Sequence, residues 1–426
     1  MDPIQNPGAE IRKAAVIGAG VMGTGIAALL ADAGVAVTLL DIEASTAAAA
    51  VARQAEAGGF ARPDLAGQVA PGSIAADLGR LSDADWIIEA VAERQEIKRD
   101  LYHRIEAVRR DGSAVSSNTS TIRLAALMEG MPDRLAGDFI ITHFFNPPRA
   151  MPLLELVSGP RTRPGVAARI RTFAERRLGK SVVLCADTPG FIANRIGGFW
   201  MAAAVNEALR LGIDIETADA ALSAPFSLPK LGFFGLADLV GIDVIALVWR
   251  SLHAALPPSD ALRAYPVVPD IVARLVADGR LGRKANGGFY RRDADRATWQ
   301  AIDLSTGAYR PARPVAAPAS DLRGLMARES PEGRYAAAVM GKTLAYAADV
   351  ARELAAGPFE IDAAMRAGYG WGLGPFELID RLGAGWLARH LAEGGVAVSP
   401  GLEEMGSVGG FRSDERRFGA AWRASS

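Results

Sequence analysis

Three residue types in this chain could together take a proton from an alcohol while a hydride leaves the same carbon. His143 opens the run His143-Phe-Phe-Asn146-Pro147 at the expected end of a strand, Glu155 follows twelve positions later, and Asn194 closes the run Thr188-Pro-Gly-Phe-Ile-Ala-Asn194. A neutral imidazole accepts a hydroxyl proton near neutral pH, a carboxylate steadies the resulting imidazolium, and a buried amide can hold an oxygen. Upstream, Gly18-Ala-Gly20-Val21-Met22-Gly23 supplies a place for a dinucleotide that could accept the hydride. The combination points to alcohol dehydrogenation.

These residues need a scaffold, and the surrounding sequence predicts one. Ala14 to Ile17 is a short uncharged apolar run, as in a central parallel strand buried on both faces. It runs straight into the glycines, and Val21 to Ala33 then reads as a helix closed by Gly34. Gly18 permits a tight turn, Gly20 lets the backbone approach a pyrophosphate, and Gly23 lets helix and strand pack closely, with the helix amino terminus facing the phosphates. Val35 to Leu40 forms the next strand, and Asp41 stands at its end. That is about 20 residues beyond the glycines, where an acid accepts a hydrogen bond from a ribose 2'-hydroxyl and repels a 2'-phosphate. NAD is therefore expected rather than NADP.

Further strands are expected at Trp86 to Val91, Ala114 to Ser116, Phe139 to Thr142 and Val182 to Leu184, with a helix from Gln95 to Arg109. In a doubly wound sheet the loops at the carboxyl ends of the strands form the ligand crevice, and Glu93, Ser117 to Ser120 and His143 all fall there. Each also has a plainer reading. The Ser116 to Ser120 run suits a helix cap, and Lys98 suits an ordinary solvated helix face. His143 has few rivals, since His103 and His253 fall in helical stretches.

Bulk properties set wide bounds. The chain has 426 residues, half of them apolar, and suggests two or three domains. A net charge of −1 gives no general attraction to nucleic acid or membrane. The single cysteine, Cys185, excludes an intrachain disulfide framework and fits a reducing cytoplasm. Met1 to Glu10 is polar, so no secretory segment is expected, and no apolar run reaches the roughly 20 residues of a membrane span.

From Gly190 the pattern turns helical, and it repeats. Asp219 and Asp238-Leu-Val-Gly241 in one stretch match Asp362 and Asp380-Arg-Leu-Gly383 in another, each preceded by a long alanine-rich helix, with spacings that differ by one residue. This predicts a duplicated helical domain. The expected architecture is an α/β Rossmann-like, doubly wound amino-terminal domain followed by two tandem all-α domains. The boundaries are 1–187 for the dinucleotide-binding domain, 188–295 for the first helical domain, 296–330 for a proline-bearing linker, and 331–426 for the second copy and tail.

The motifs His143-Phe-Phe-Asn-Pro147, Asp187-Thr-Pro-Gly-Phe-Ile-Ala-Asn-Arg195 and Gly374-Pro-Phe-Glu-Leu-Ile-Asp380 resemble the L-3-hydroxyacyl-CoA dehydrogenases of fatty-acid β-oxidation. The resemblance covers roughly Arg12 to Tyr290 and the second copy through about Gly383. It implies His143 as the base, Glu155 as its carboxylate partner, and Ser120 and Asn194 as the groups that hold substrate oxygens. It also implies that Glu93, Lys98 and Asn146 help to place nicotinamide ribose and substrate, and that the substrate is an acyl-CoA. The first copy departs from the pattern, with Pro229-Lys-Leu-Gly-Phe-Phe-Gly-Leu-Ala-Asp238 where single-repeat members usually carry Gly-Pro-Phe-Glu-Leu. Acyl-chain preference is therefore not given by the resemblance.

The duplication resembles the dehydrogenase half of multifunctional β-oxidation enzymes. There the second copy takes the place that a partner subunit fills in single-repeat dimers. A monomeric unit, alone or as part of or associated with a β-oxidation complex, is the expectation. No stretch has the length of the hydratase domain of those enzymes, so the chain is either free-standing or a piece of a longer protein. Two other readings stand beside this one: a dehydrogenase of a small free 3-hydroxy acid or carnitine-like alcohol, and a non-catalytic dinucleotide-binding scaffold.

Overall fold

The computed structural model describes residues 10–285, 287–293, 298–319, 321–396, 398 and 400–408. The polar stretch before residue 10 and the tail beyond residue 408 lie outside them. The chain divides into two compact units, Met1–Phe191 and Ile192–Ser426.

The first unit is built on an eight-stranded sheet of β1 Lys13–Ile17, β2 Ala36–Asp41, β3 Val69–Ser73, β4 Trp86–Glu89, β5 Ala114–Ser117, β6 Phe139–Phe144, β7 Leu153–Ser158 and β8 Ser181–Cys185, in the order β3-β2-β1-β4-β5-β6-β7-β8. Neighbours pair in parallel except β6 and β7, which are antiparallel. The central strands are apolar because both their faces are covered: β4 and β5 are buried along their whole length. The chain order reverses between β1 and β4, and that switch point is where the crevice of a doubly wound sheet opens.

Two strands were not expected from sequence. β3 contains Pro71 and Gly72, which disfavour strands and are tolerated here because β3 is an edge. β7 carries an acid, Glu155, inside an apolar run and follows Pro152. Its register sets Glu155 directly across from His143, so the twelve-residue spacing is that of a cross-strand pair.

The second unit opens on the helix Ala193–Leu211, closed by Gly212 in the left-handed conformation. The helices Ile215–Leu222 and Gly232–Val240 follow, and later the sequence Pro331–Leu354, Pro358–Tyr369 and Pro375–Leu382 repeats the arrangement. The two stretches also share a capping device. Asp219 accepts hydrogen bonds from the N–H groups of Phe234 (2.8 Å) and Gly235 (3.2 Å), and Asp362 accepts from those of Phe376 (2.8 Å) and Glu377 (3.3 Å). Each carboxylate thus satisfies the free donors in the first turn of the next helix but one in its own stretch, counting from the long helix.

Part of the expected linker is folded. Tyr290–Arg292, Trp299–Ile302 and Tyr309–Pro311 form a small antiparallel sheet, and Leu322–Met326 is a short helix. The alanine- and proline-rich composition around 309–318 drew attention away from the short strand Trp299–Ile302, whose last two residues are buried, and from the Asp303 to Gly307 turn beside it. Among the described residues no single helix is long and apolar enough to cross a membrane.

Candidate active site

The glycine loop is shaped by what surrounds each glycine. Gly18 has φ of +107°, and a Cβ there would stand 2.4 Å from the carbonyl oxygen of Ala90, just past β4. A Cβ on Gly23 would stand 1.8 Å from the Gly18 carbonyl oxygen, so helix and loop can approach only without it. A Cβ on Gly20 would meet nothing within 4 Å, which leaves open space at the start of the helix Val21–Asp32. That helix has no side-chain cap and no acid in its first turn. Val21 and Met22 therefore offer backbone N–H groups toward an anion. Asp41 accepts from the Ala19 N–H at 2.6 Å and the Ile42 N–H at 2.7 Å, which ties the acid at the end of β2 to the loop. These residues fit a dinucleotide: Gly20 to Gly23 would hold its pyrophosphate and Asp41 its ribose.

On the other side of the switch point, His143 Nδ1 lies 2.7 Å from Glu155 Oε2, with the imidazole 7 % exposed and the carboxylate fully buried. A carboxylate can only accept, so the proton sits on Nδ1 and Nε2 is left to accept another. Phe145 and Phe191 rest against the imidazole, with ring centroids 4.5 and 5.7 Å away. Low polarity around the couple strengthens its electrostatics.

A residue that sequence reasoning missed organises the rest. Glu89, at the end of β4, is fully buried and accepts from Lys98 Nζ (2.7 Å), Tyr102 Oη (2.6 Å), Ser117 Oγ (2.7 Å) and the Val91 N–H (2.8 Å). It thus joins the loop after β4, the end of β5 and the helix Gln95–Val108. Lys98 is not a solvated helix residue: it is 1 % exposed and also pairs with Glu93 at 3.1 Å. Glu93 accepts from the N–H groups of Ser120 (3.1 Å) and Thr121 (3.2 Å) and from the Thr119 hydroxyl. Partial burial pushes the Glu93 carboxyl up, but the Lys98 charge and these hydrogen bonds outweigh it and hold the group below its ordinary value. Within the Ser116 to Ser120 run, Ser117, Thr119 and Ser120 are thus ligands to Glu89 and Glu93 rather than a helix cap, while the Ser116 hydroxyl accepts from Trp86 Nε1 and the Thr142 hydroxyl. The only available signal for Glu89 was a lone acid inside the apolar Trp86-Ile-Ile-Glu89 run.

Asn118 links neighbouring strand ends, donating its N–H to the Glu89 carbonyl and accepting the Phe144 N–H on its side-chain oxygen. Asn146 is exposed in the turn after β6, and its bond to Pro147 is cis. The turn is pinned by Lys180, whose buried ammonium donates to the carbonyls of Pro148 and Met151. Burial pushes the Lys180 pKa down from 10.5 to about 8. Below about pH 8 folded and unfolded chains both hold this proton, and the folded one bears the cost of burying it. Between about 8 and 10.5 the unfolded chain binds more protons, so this group makes stability rise with pH. At about 1.4 kcal/mol per unit the rise is up to about 3 kcal/mol. Urea titrations across pH 7.5 to 10.5 should show this slope in the native chain and its loss in Lys180→Met. Equal slopes would contradict the assignment.

Asn194 belongs to the second unit, where it is the buried second residue of Ala193–Leu211.

The doubly wound sheet and its glycine loop define the class, a dinucleotide-binding α/β protein. The description "3-hydroxyacyl-CoA dehydrogenase, NAD binding domain" matches residues 13–188, and "3-hydroxyacyl-CoA dehydrogenase, C-terminal domain" matches residues 190–292 and 333–406. The chain belongs to the 3-hydroxyacyl-CoA dehydrogenase family, and its first unit is the family's NAD-binding domain.

A Rickettsia felis protein, named provisionally as a fatty acid oxidation complex trifunctional enzyme, is 36% identical over 87% of this chain and 53% of its own length. A Deinococcus radiodurans protein named "Probable 3-hydroxyacyl-CoA dehydrogenase" is 36% identical over 67% of this chain and 84% of its own. Among solved structures, 3-hydroxybutyryl-CoA dehydrogenase from Escherichia coli K12 has a TM-score of 0.73 at 23% identity, covering 94% of this chain and 99% of that one. At that identity the likeness speaks for the fold alone. The chain spans about half the length of the first curated relatives it matches.

Proposed function

We propose that this chain catalyses the reversible, NAD-dependent oxidation of an L-3-hydroxyacyl-CoA to the 3-ketoacyl-CoA in fatty-acid oxidation, with His143 as general base. The observation that carries this reading is the buried His143–Glu155 couple near the carboxyl end of β6, in the same sheet as the strand that leads into the glycine loop. NAD, when bound, supplies the nicotinamide carbon that takes the hydride from C3. His143 takes the 3-hydroxyl proton, and Glu155 holds the tautomer and balances the imidazolium. Ser120, whose hydroxyl makes no hydrogen bond among the described residues, would hold a substrate oxygen, and the family resemblance gives Asn194 the same kind of role. Glu93, Lys98 and Asn146 would set the position of nicotinamide ribose and substrate.

The repeated helix order and the Asp219 and Asp362 caps support reading the second unit as two copies of one helical domain, at about 188–295 and 331 onward. A unit complete within one chain follows from that, working alone or within a larger β-oxidation assembly. The single, buried Cys185 fits a cytoplasmic setting.

The test is NADH consumption with acetoacetyl-CoA and with a long-chain 3-ketoacyl-CoA, beside free acetoacetate and NADPH controls. Turnover of the thioesters with NADH alone is expected. Turnover of free acetoacetate instead would favour the free-acid reading, and NADH binding without turnover would favour the scaffold.

A further inference from the structure

Phe191 is one of two non-glycine residues with positive φ among the described residues, at +48°, and it follows Gly190 at +77°. Bulky side chains rarely enter this region, and residues held there cluster where surrounding structure demands a particular placement. The surroundings of Phe191 supply that demand. Its side chain is fully buried, and its ring lies 5.7 Å from the His143 imidazole at an interplanar angle of 57°. The Phe191 N–H closes a turn onto the Thr188 carbonyl at 3.1 Å.

The start of the same short segment is anchored elsewhere in the site. Asp187 accepts the N–H groups of Leu124 (2.6 Å) and Ala125 (2.9 Å), and the Asp187 carbonyl accepts from Arg123 Nε at 3.0 Å. These residues directly follow the Ser117 to Thr121 ligands of Glu89 and Glu93. Within five residues the chain therefore passes from the loop bearing Ser120 to the face of His143. Three positions further on in sequence stands Asn194.

From this we infer that Phe191 is a positioning residue for the general base: its left-handed backbone turns the ring onto the imidazole and keeps His143 in the orientation that bonds Glu155 and aims Nε2 outward. The inference rests on His143 being the base. Glu155 fixes one ring nitrogen but leaves the imidazole free to tilt about that bond, and packing by Phe145 and Phe191 removes this freedom. Small misplacement of a reacting group costs up to about 100-fold in rate.

The test is Phe191→Leu in the full chain. Leucine preserves burial and removes the aromatic face. The expected result is a fall in kcat of about 10-fold or more with acetoacetyl-CoA and NADH, an altered pH–rate profile, and an NADH dissociation constant within about twofold of wild type. Native kcat and an unchanged profile in folded F191L would overturn the inference. Phe191→Gly separates ring from backbone, since glycine adopts the positive φ freely. It should lose kcat as F191L does, and native activity there would assign the effect to the turn alone. If neither variant folds, Phe191→Met carries the same comparison.

A second readout does not depend on turnover. The Nδ1 proton shared with Glu155 should give a downfield proton resonance in the free wild-type protein, lost in His143→Gln. In F191L it should shift or broaden, whereas an unchanged resonance would overturn the inference. Absence of wild-type turnover on any acyl-CoA, with the resonance present and sensitive to Phe191, would instead count against the proposed function.

Discussion

Replacing His143 with glutamine should lower turnover by about 100-fold or more while leaving NADH affinity nearly intact, since general-base catalysis is worth about 10²- to 10⁴-fold. Glutamine is chosen because its amide can still donate to the buried Glu155, so the substitution removes the base without stranding a carboxylate 2.7 Å away. The glycine loop and Asp41, which would hold the dinucleotide, make no hydrogen bond to the histidine, so binding and chemistry should separate. Steady-state kinetics and NADH fluorescence titration measure the two quantities. Near-native turnover would remove His143 from the role. Glu155→Gln should be milder, because the hydrogen bond can persist while the counter-charge to the imidazolium is lost, and it should shift the pH–rate profile.

A larger effect on stability is expected at Lys98. Its ammonium is buried between Glu89 and Glu93, and Glu89 is itself fully buried. Lys98→Met leaves Glu89 charged with only the Tyr102, Ser117 and Val91 donors, and breaking a buried pair in this way costs about 3–5 kcal/mol. For a unit of this size, at about 2–4 °C per kcal/mol, that lowers the melting temperature by about 6 to 20 °C. Pairing it with Glu89→Gln should recover part of the loss, because the orphaned charge is removed. The single variant should also bind NADH more weakly, since Glu93 loses the charge that steadies it. A Lys98→Met chain melting within a degree or two of native would show that this cluster is not held by its charges.

The first half of the fold was open to sequence reading because its signals are local. An apolar strand, three glycines, an apolar helix and Asp41 follow one another within about thirty residues, and the steric demands on Gly18 and Gly23 leave few alternatives. His143 and Glu155 were recognisable as residue types at a spacing, but the reason for the spacing was not. It lies in the antiparallel register of β6 and β7, and β7 itself was hidden by its acid and by the prolines before it.

Glu89 and Lys180 were missed for a related reason. Apart from the Val91 N–H on Glu89, their partners lie 9 to 32 residues away in sequence, and burial of an ionised group is decided by packing that no local window contains. Lys98 was readable only through the family resemblance, since its helical position alone suits a solvated face. The span 296–330 held more structure than its composition suggested: proline and alanine pointed to a linker where two short strands, Trp299–Ile302 and Tyr309–Pro311, pair.

The most direct test of the central claim is to follow the label from NADH deuterated at the transferring carbon during reduction of acetoacetyl-CoA. The account predicts 3-hydroxybutyryl-CoA of L configuration with one deuterium at C3, formed by the native chain and about 100-fold more slowly by His143→Gln. A product without label at C3, or NADH binding with no thioester product at all, would contradict it.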